Sequence, residues 1–186
     1  MKKLMIAAAI VCAAVISQGA QFNWKTAKSG GAVNAPDGAA ALTAATAYIF
    51  ESSKAETILA AFAAGNDWTA GALDSNDIST AGKIATKGES QAFTYGGVGQ
   101  AAHLDAIFAF TQTIDGEDYL YISTVASGDA QAVGAKLLEF TEGGVSKAIK
   151  DANTYAGAGW YTVPEPTSGL LLLLGVAGLA LRRRRA

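Results

Sequence analysis

The sequence predicts a mainly β protein: a small antiparallel, sandwich-like domain with one short helix, set between an N-terminal signal peptide and a short C-terminal transmembrane segment. Three observations carry that expectation. Leu104 to Val125 reads as two alternating runs around Asp115-Gly116, a dipeptide that favours a two-residue hairpin turn. Ser53-Lys54-Ala55-Glu56 is the clearest helix start in the chain, with a serine at the N-cap and a glutamate three residues on. No heptad run and no repeat of roughly 20 to 50 residues competes with this reading.

Taken in order, Phe22 and Trp24 alternate around Asn23 as in a first strand, expected at a sheet edge and followed by a loop containing Gly30, Gly31 and Pro36. Thr46 to Glu51 reads as a strand through Tyr48, Ile49 and Phe50. The helix is expected from Lys54 to Ala64, with Ile58, Leu59 and Phe62 on one face and Gly65 ending it in a left-handed conformation. Asn66 to Gly88 is polar and punctuated by glycines, and reads as turns.

In the hairpin, the Asp-Gly turn sets Ile114 opposite Glu117, Gln112 opposite Tyr119 and Phe110 opposite Tyr121. Phe108, Phe110, Tyr119 and Tyr121 then share one face, and Ile107, Ala109, Leu120 and Ile122 the other. Two apolar faces predict a central hairpin covered on both sides, or else an aromatic strip left open. Asp129 to Phe140 fits helical spacing at Val133, Leu137 and Phe140, or a strand from Lys136; the neighbouring strands favour the second. Trp160 and Tyr161 are read as the last strand residues of the body.

The two ends are address labels. Residues 1–20 combine Lys2 and Lys3, an apolar run from Leu4 to Ile16 and the small residues Gly19 and Ala20, the three zones of a secretory signal. That run measures roughly 20 Å as a helix, short of the roughly 30 Å hydrocarbon core. Export by the general secretion machinery and cleavage by signal peptidase are therefore expected. The cut is placed after Ala20, although Ser17 and Gly19 equally admit a cut one residue earlier. The only cysteine, Cys12, follows Val11 where a lipidation signal wants a small residue, so the body has no thiol for a disulfide, a nucleophile or a zinc site.

At the other end, residues 163–186 begin with Val163, Pro164, Glu165 and Pro166; the two prolines interrupt any helix or central strand and leave an extended segment. A Leu/Gly/Ala-rich span is placed at 168–181, and Arg182, Arg183, Arg184 and Arg185 follow as a stop-transfer cluster that resists crossing a bilayer. This tripartite end resembles the PEP-CTERM sorting signal: the Pro-Glu-Pro, the apolar span and the arginine cluster match in order. The resemblance implies recognition by an exosortase, an integral membrane cysteine protease, with cleavage near the Pro-Glu-Pro and delivery to the cell surface or extracellular matrix. It is confined to the C-terminal 24 residues and implies no activity for the body, residues 21–162, which is expected to be an extracellular domain.

The body offers little chemistry. Gln21 to Tyr161 holds 8 Lys, 15 carboxylates and no Arg, a net charge near -7 that excludes nucleic acid as a partner. His103 is the only histidine, with Asp105 two positions on, but no G-x-S-x-G elbow supports a serine nucleophile and one histidine makes no metal site. Asp74, Asn76 and Asp77 offer oxygens suited to Ca²⁺, yet the EF-hand spacing fails and turns explain them better. Gly96-Gly97-Val98-Gly99 lacks the Lys-Ser/Thr of a phosphate loop and reads as a turn. No catalytic residue, cofactor or metal is expected. The leading reading is a non-enzymatic exported protein of the surface or extracellular matrix. Its alternatives are a carbohydrate- or exopolysaccharide-binding protein stacking sugars on Tyr119 and Tyr121, and, last, a hydrolase using paired carboxylates.

Overall fold

The structure, a computed structural model, describes residues 19–37, 41–88, 91–97, 100–131 and 134–163. The predicted signal up to residue 18, Pro164 to Pro166, the span at 168–181 and Arg182 to Arg185 lie outside the described residues. In chain order the strands are β1 (Ala20–Thr26), β2 (Ala45–Glu51), β3 (Asp74–Ile78), β4 (Phe93–Tyr95), β5 (Ala102–Ile114), β6 (Glu117–Ile122), β7 (Ala126–Ala130), β8 (Ala135–Phe140), β9 (Ile149–Asp151) and β10 (Gly159–Thr162). A 3-10 turn at Ser52–Lys54 runs into helix α1 (Ala55–Ala63).

The expected hairpin is the centre of the molecule. β5 pairs with β6 in the register set by the turn, Ile114 with Glu117, Gln112 with Tyr119 and Phe110 with Tyr121. Asp115 and Gly116 both take positive φ, 54° and 89°, as a type I′ turn requires. β5 is long enough to take further neighbours: its middle pairs with β2 and its start with β7. The larger sheet is ordered β3-β2-β5-β6-β10-β9 with β7 beside the start of β5, and a smaller sheet is ordered β4-β1-β8.

Both faces of the hairpin are covered, by different partners. Phe108, Phe110 and Tyr121 join Phe22, Trp24, Leu138, Phe140 and Trp160 in one buried cluster between the two sheets. Ile107, Ala109, Leu120 and Ile122 join Ile58, Leu59 and Phe62 of α1 in a second cluster on the other face. The alternation of the strands thus dictates three layers, small sheet, large sheet and helix, the large sheet burying both of its faces and the outer layers one each.

Three expectations are corrected. β1 is not an edge strand: it lies between β4 and β8, with Phe22 and Trp24 fully buried. The sheets are mainly antiparallel, as expected, with β1 parallel to β8 and β10 parallel to β9 as the two exceptions. The capping box does not form: the 3-10 turn takes over the helix start, Lys54 occupies the N-cap, and the Ser53 hydroxyl donates to Glu51 at 3.5 Å. Asp74 to Ile78, read as turn, is a strand pairing with β2, a place its polar composition conceals. The helix end is as expected. Gly65 at φ 68° lets its N–H reach Phe62 O at 3.0 Å and the Asn66 N–H reach Ala61 O at 2.9 Å, both bonds of a Schellman motif.

The parallel β9–β10 pair is joined by only residues 152–158, where parallel strands usually need a long crossover. Lys150 makes this possible. Its ammonium donates to the carbonyls of Ala156, Gly157 and Ala158 at 2.9, 3.1 and 2.6 Å, and sits 5.4 Å from the centroid of the Tyr161 ring. The Tyr161 hydroxyl accepts from Ala156 N and donates to Gly157 O, closing the loop from the other side.

Candidate functional site

The sorting segment leaves the body from a core strand. In β10, Trp160 and Tyr161 are fully buried, and Thr162 is paired with Tyr119 on one side and Asp151 on the other. The Thr162 carbonyl still accepts from Ala152 N at 3.0 Å. Val163 is 41% exposed and is the first residue free of the sheet. Pro164 follows, and having no N–H it cannot extend the ladder. Four exposed carboxylates stand at this end of the sheet: Asp115 and Glu117 in or beside the hairpin turn, Asp118 whose carbonyl accepts from the Thr162 hydroxyl at 3.5 Å, and Asp151.

A family model, the PEP-CTERM protein-sorting motif, matches residues 162–185. The chain carries a PEP-CTERM sorting motif. Its first matched residue is the last hydrogen-bonded residue of β10, so folded body and motif abut without a linker. The PEP-CTERM motif implies export, exosortase processing and a surface or extracellular location. Comparison with curated proteins and with solved structures yields no match. Among the described residues, no helix is long and apolar enough to cross a membrane; the expected span at 168–181 lies outside them.

The proposed stacking pair on the hairpin is not formed. Tyr121 is 1% exposed, packed against Phe110 and Trp160, and its hydroxyl donates to Glu142 at 2.6 Å. Burial and then the charge of Glu142 raise the phenol far above its ordinary range, so it stays a donor. Tyr119 is half-buried and donates to Glu117 at 2.7 Å. Alternation put both rings on one face, but that face is the inter-sheet core, where Trp160 packs beside Tyr121 and the small sheet lies over the cluster.

Glu142, which no sequence motif marks, is the most buried carboxylate among the described residues. It is 0% exposed and accepts from the Tyr121 hydroxyl, from the Thr124 hydroxyl at 2.6 Å and from Thr124 N at 3.2 Å. No described salt bridge involves it. Nothing in the pattern TEGGV marks it, because its partners lie 18 and 21 residues away.

The Asp74, Asn76 and Asp77 oxygens are not gathered for a cation. Asp74 accepts from Trp24 Nε1 at 3.0 Å and from Lys87 Nζ at 3.0 Å, and Asn76 donates to Ala85 O at 2.7 Å. Asp77 is exposed on β3. Among the described residues, no group of three His, Cys, Asp or Glu is placed to hold a metal.

His103 does meet Asp105, and the strand pairing adds Asp129 and Ser127 from β7. The ring nitrogens are 2.8 Å from Asp129 and 3.1 Å from Asp105, while the Ser127 hydroxyl donates to Asp105 at 2.5 Å. The serine is therefore bonded to the acid and not to the imidazole, so Ser127 is not paired with His103 as a base. The bond to Asp129, then that to Asp105, raises the His103 pKa, and the Ser127 bond chiefly lowers that of Asp105.

This gives a signed pH dependence. A raised histidine contributes stability that is present below its unfolded value, about 6.5, and is lost as pH rises through the folded value. A lowered aspartate contributes above its unfolded value, about 3.9, and loses its contribution as pH falls. The β5–β7 pairing should thus be tightest between these limits. His103→Gln should flatten the fall in melting temperature of the full chain from pH 6 upward; an unchanged slope would show that other groups set it.

Proposed function

We propose that this chain is a non-enzymatic surface or matrix protein, exported by its N-terminal signal and handed to an exosortase by its C-terminal motif. The observation that carries the reading is the motif at 162–185 beginning on the last residue of β10. Signal peptidase would act at the other end. There, β1 starts at Ala20, which is fully buried and paired with Tyr95. That position supports the cut after Gly19, which keeps Ala20 in the strand, over the cut after Ala20.

From Val163 to Thr167 the extended chain reaches about 17 Å at most. A span starting at Ser168 therefore holds the β10 end of the body close to the membrane surface during processing. The arginines set retention and orientation through their charge.

Replacing Pro164 and Pro166 with Ala should leave the full chain membrane-bound and untrimmed in a host carrying the sorting protease. Replacing Arg182 to Arg185 with Ser should let much of it slip through, since a short apolar run alone is a weak stop. Fractionation with an immunoblot for size separates these outcomes. Mass spectrometry of the wild-type surface form should find neither the signal peptide nor the arginine cluster; an intact C-terminus there would overturn the sorting reading.

A further inference from the structure

A groove of about 350 Å³ lies between the end of α1 and the β5–β6 hairpin, lined by Phe62, Asn66, Trp68, Thr111, Thr113 and Asp118. Its volume is at the small end of the range for ligand sites. Trp68 is held in place from behind. It meets Tyr48 edge-on at 5.5 Å and Phe50 at 6.4 Å, and the preceding Asp67 fixes the loop by accepting from both the N–H and the hydroxyl of Thr69 at 2.9 and 2.6 Å.

The polar groups around this ring are left over from folding. Among the described residues, the Asn66 side-chain amide, the Trp68 indole N–H and the Thr111 hydroxyl have no protein partner. Asp118 uses one carboxylate oxygen to accept from Thr113 at 2.6 Å, and the other is unpaired. Every other tryptophan of the chain is fully buried, with its N–H on Asp74 or on Asn34 O. Trp68 is the exception in both respects, being partly exposed and unbonded.

We propose that this groove binds a neutral saccharide, with Trp68 as the stacking platform. The electron-rich face of an indole attracts the weakly positive C–H face of a pyranose, as it attracts other positive groups. The surrounding amide, hydroxyl, indole N–H and carboxylate offer both donors and acceptors, which is what a sugar's hydroxyls require. No Lys or Arg lines the groove and Asp118 is negative, so a uronate, phosphate or nucleotide is disfavoured. Asp118 is also the single carboxylate among the lining residues, where glycoside hydrolysis uses two, so the site binds and does not cleave.

The test uses the full chain in mild detergent, titrated calorimetrically with malto-, cello-, xylo- and manno-hexaose and with oligogalacturonate. Because Trp24 and Trp160 are buried, a ligand in the groove should also change the tryptophan emission through Trp68. At least one neutral series should bind saturably with that emission change. Asn66→Ala should weaken it about fivefold, the worth of one neutral hydrogen bond, and Trp68→Ala about tenfold, the upper end of what a stacked aromatic contact contributes. Asn66 is exposed and bonds nothing through its side chain, so its substitution leaves the fold intact even if Trp68→Ala loosens the core. No saturable binding to any neutral series, preference for oligogalacturonate, or binding indifferent to Asn66→Ala would each overturn the proposal.

Discussion

Phe108→Ala should destabilise the body by about 4 kcal/mol, lowering its melting midpoint by roughly 10 °C. Phe108 is the ring through which the two sheets meet. It is fully buried and contacts Trp24 at 5.9 Å and Phe140 at 4.9 Å from the small sheet, and Phe110 and Tyr121 at 6.3 and 6.0 Å on its own. Its loss removes buried area and opens a cavity that rigid neighbouring strands cannot fill. Val125→Ala serves as the control: at 54% exposure it should change stability by less than about 0.5 kcal/mol. Urea unfolding followed by tryptophan emission, which Trp24 reports from the same cluster, checks both. A loss below about 1.5 kcal/mol at Phe108 would mean the sheets are not held together through it.

Glu142→Ala should cost about 3 kcal/mol or more. The substitution strips the acceptor from the buried Tyr121 hydroxyl and from the partly buried Thr124 hydroxyl and N–H at once. Relief of the carboxylate's own desolvation works in the opposite direction. Three donors left without a partner outweigh it, because each unmade buried hydrogen bond costs roughly 1 to 3 kcal/mol. Glu142→Gln keeps an acceptor and should cost less. Tyr121→Phe should cost about 2 kcal/mol, and the double variant should fall short of the sum by a similar amount, as groups in one network do. Additive single effects in the cycle would show that the tyrosine and the glutamate do not act as a unit.

Neither Phe108's role between the sheets nor Glu142's burial can be read from neighbouring residues alone. Wherever the physics is local, it was legible. The Asp115-Gly116 turn requires two positive φ values, and a two-residue turn leaves one register, so the pairings from Ile114–Glu117 to Phe110–Tyr121 and the split of the hairpin into two apolar faces followed directly. Gly65 ended the helix for the same kind of reason. The sorting motif is legible because its prolines, apolar span and arginines act through composition and order, with no need of a fold.

What covers each face depends on the packing of distant strands. Alternation says that Phe108, Phe110 and Tyr121 share a side, but not that β1 and β8 close over it in parallel, which turns a candidate stacking surface into core. β3 was concealed because Asp74 and Asn76 spend their polar groups on Trp24, Lys87 and Ala85, contacts 9 to 50 residues away that override weak strand propensity. Glu142 and the Trp68 groove were concealed likewise. A carboxylate's burial and a ring's exposure depend on which distant segments pack beside them, and that is set by the whole fold's competition for buried area, not by any window of the chain.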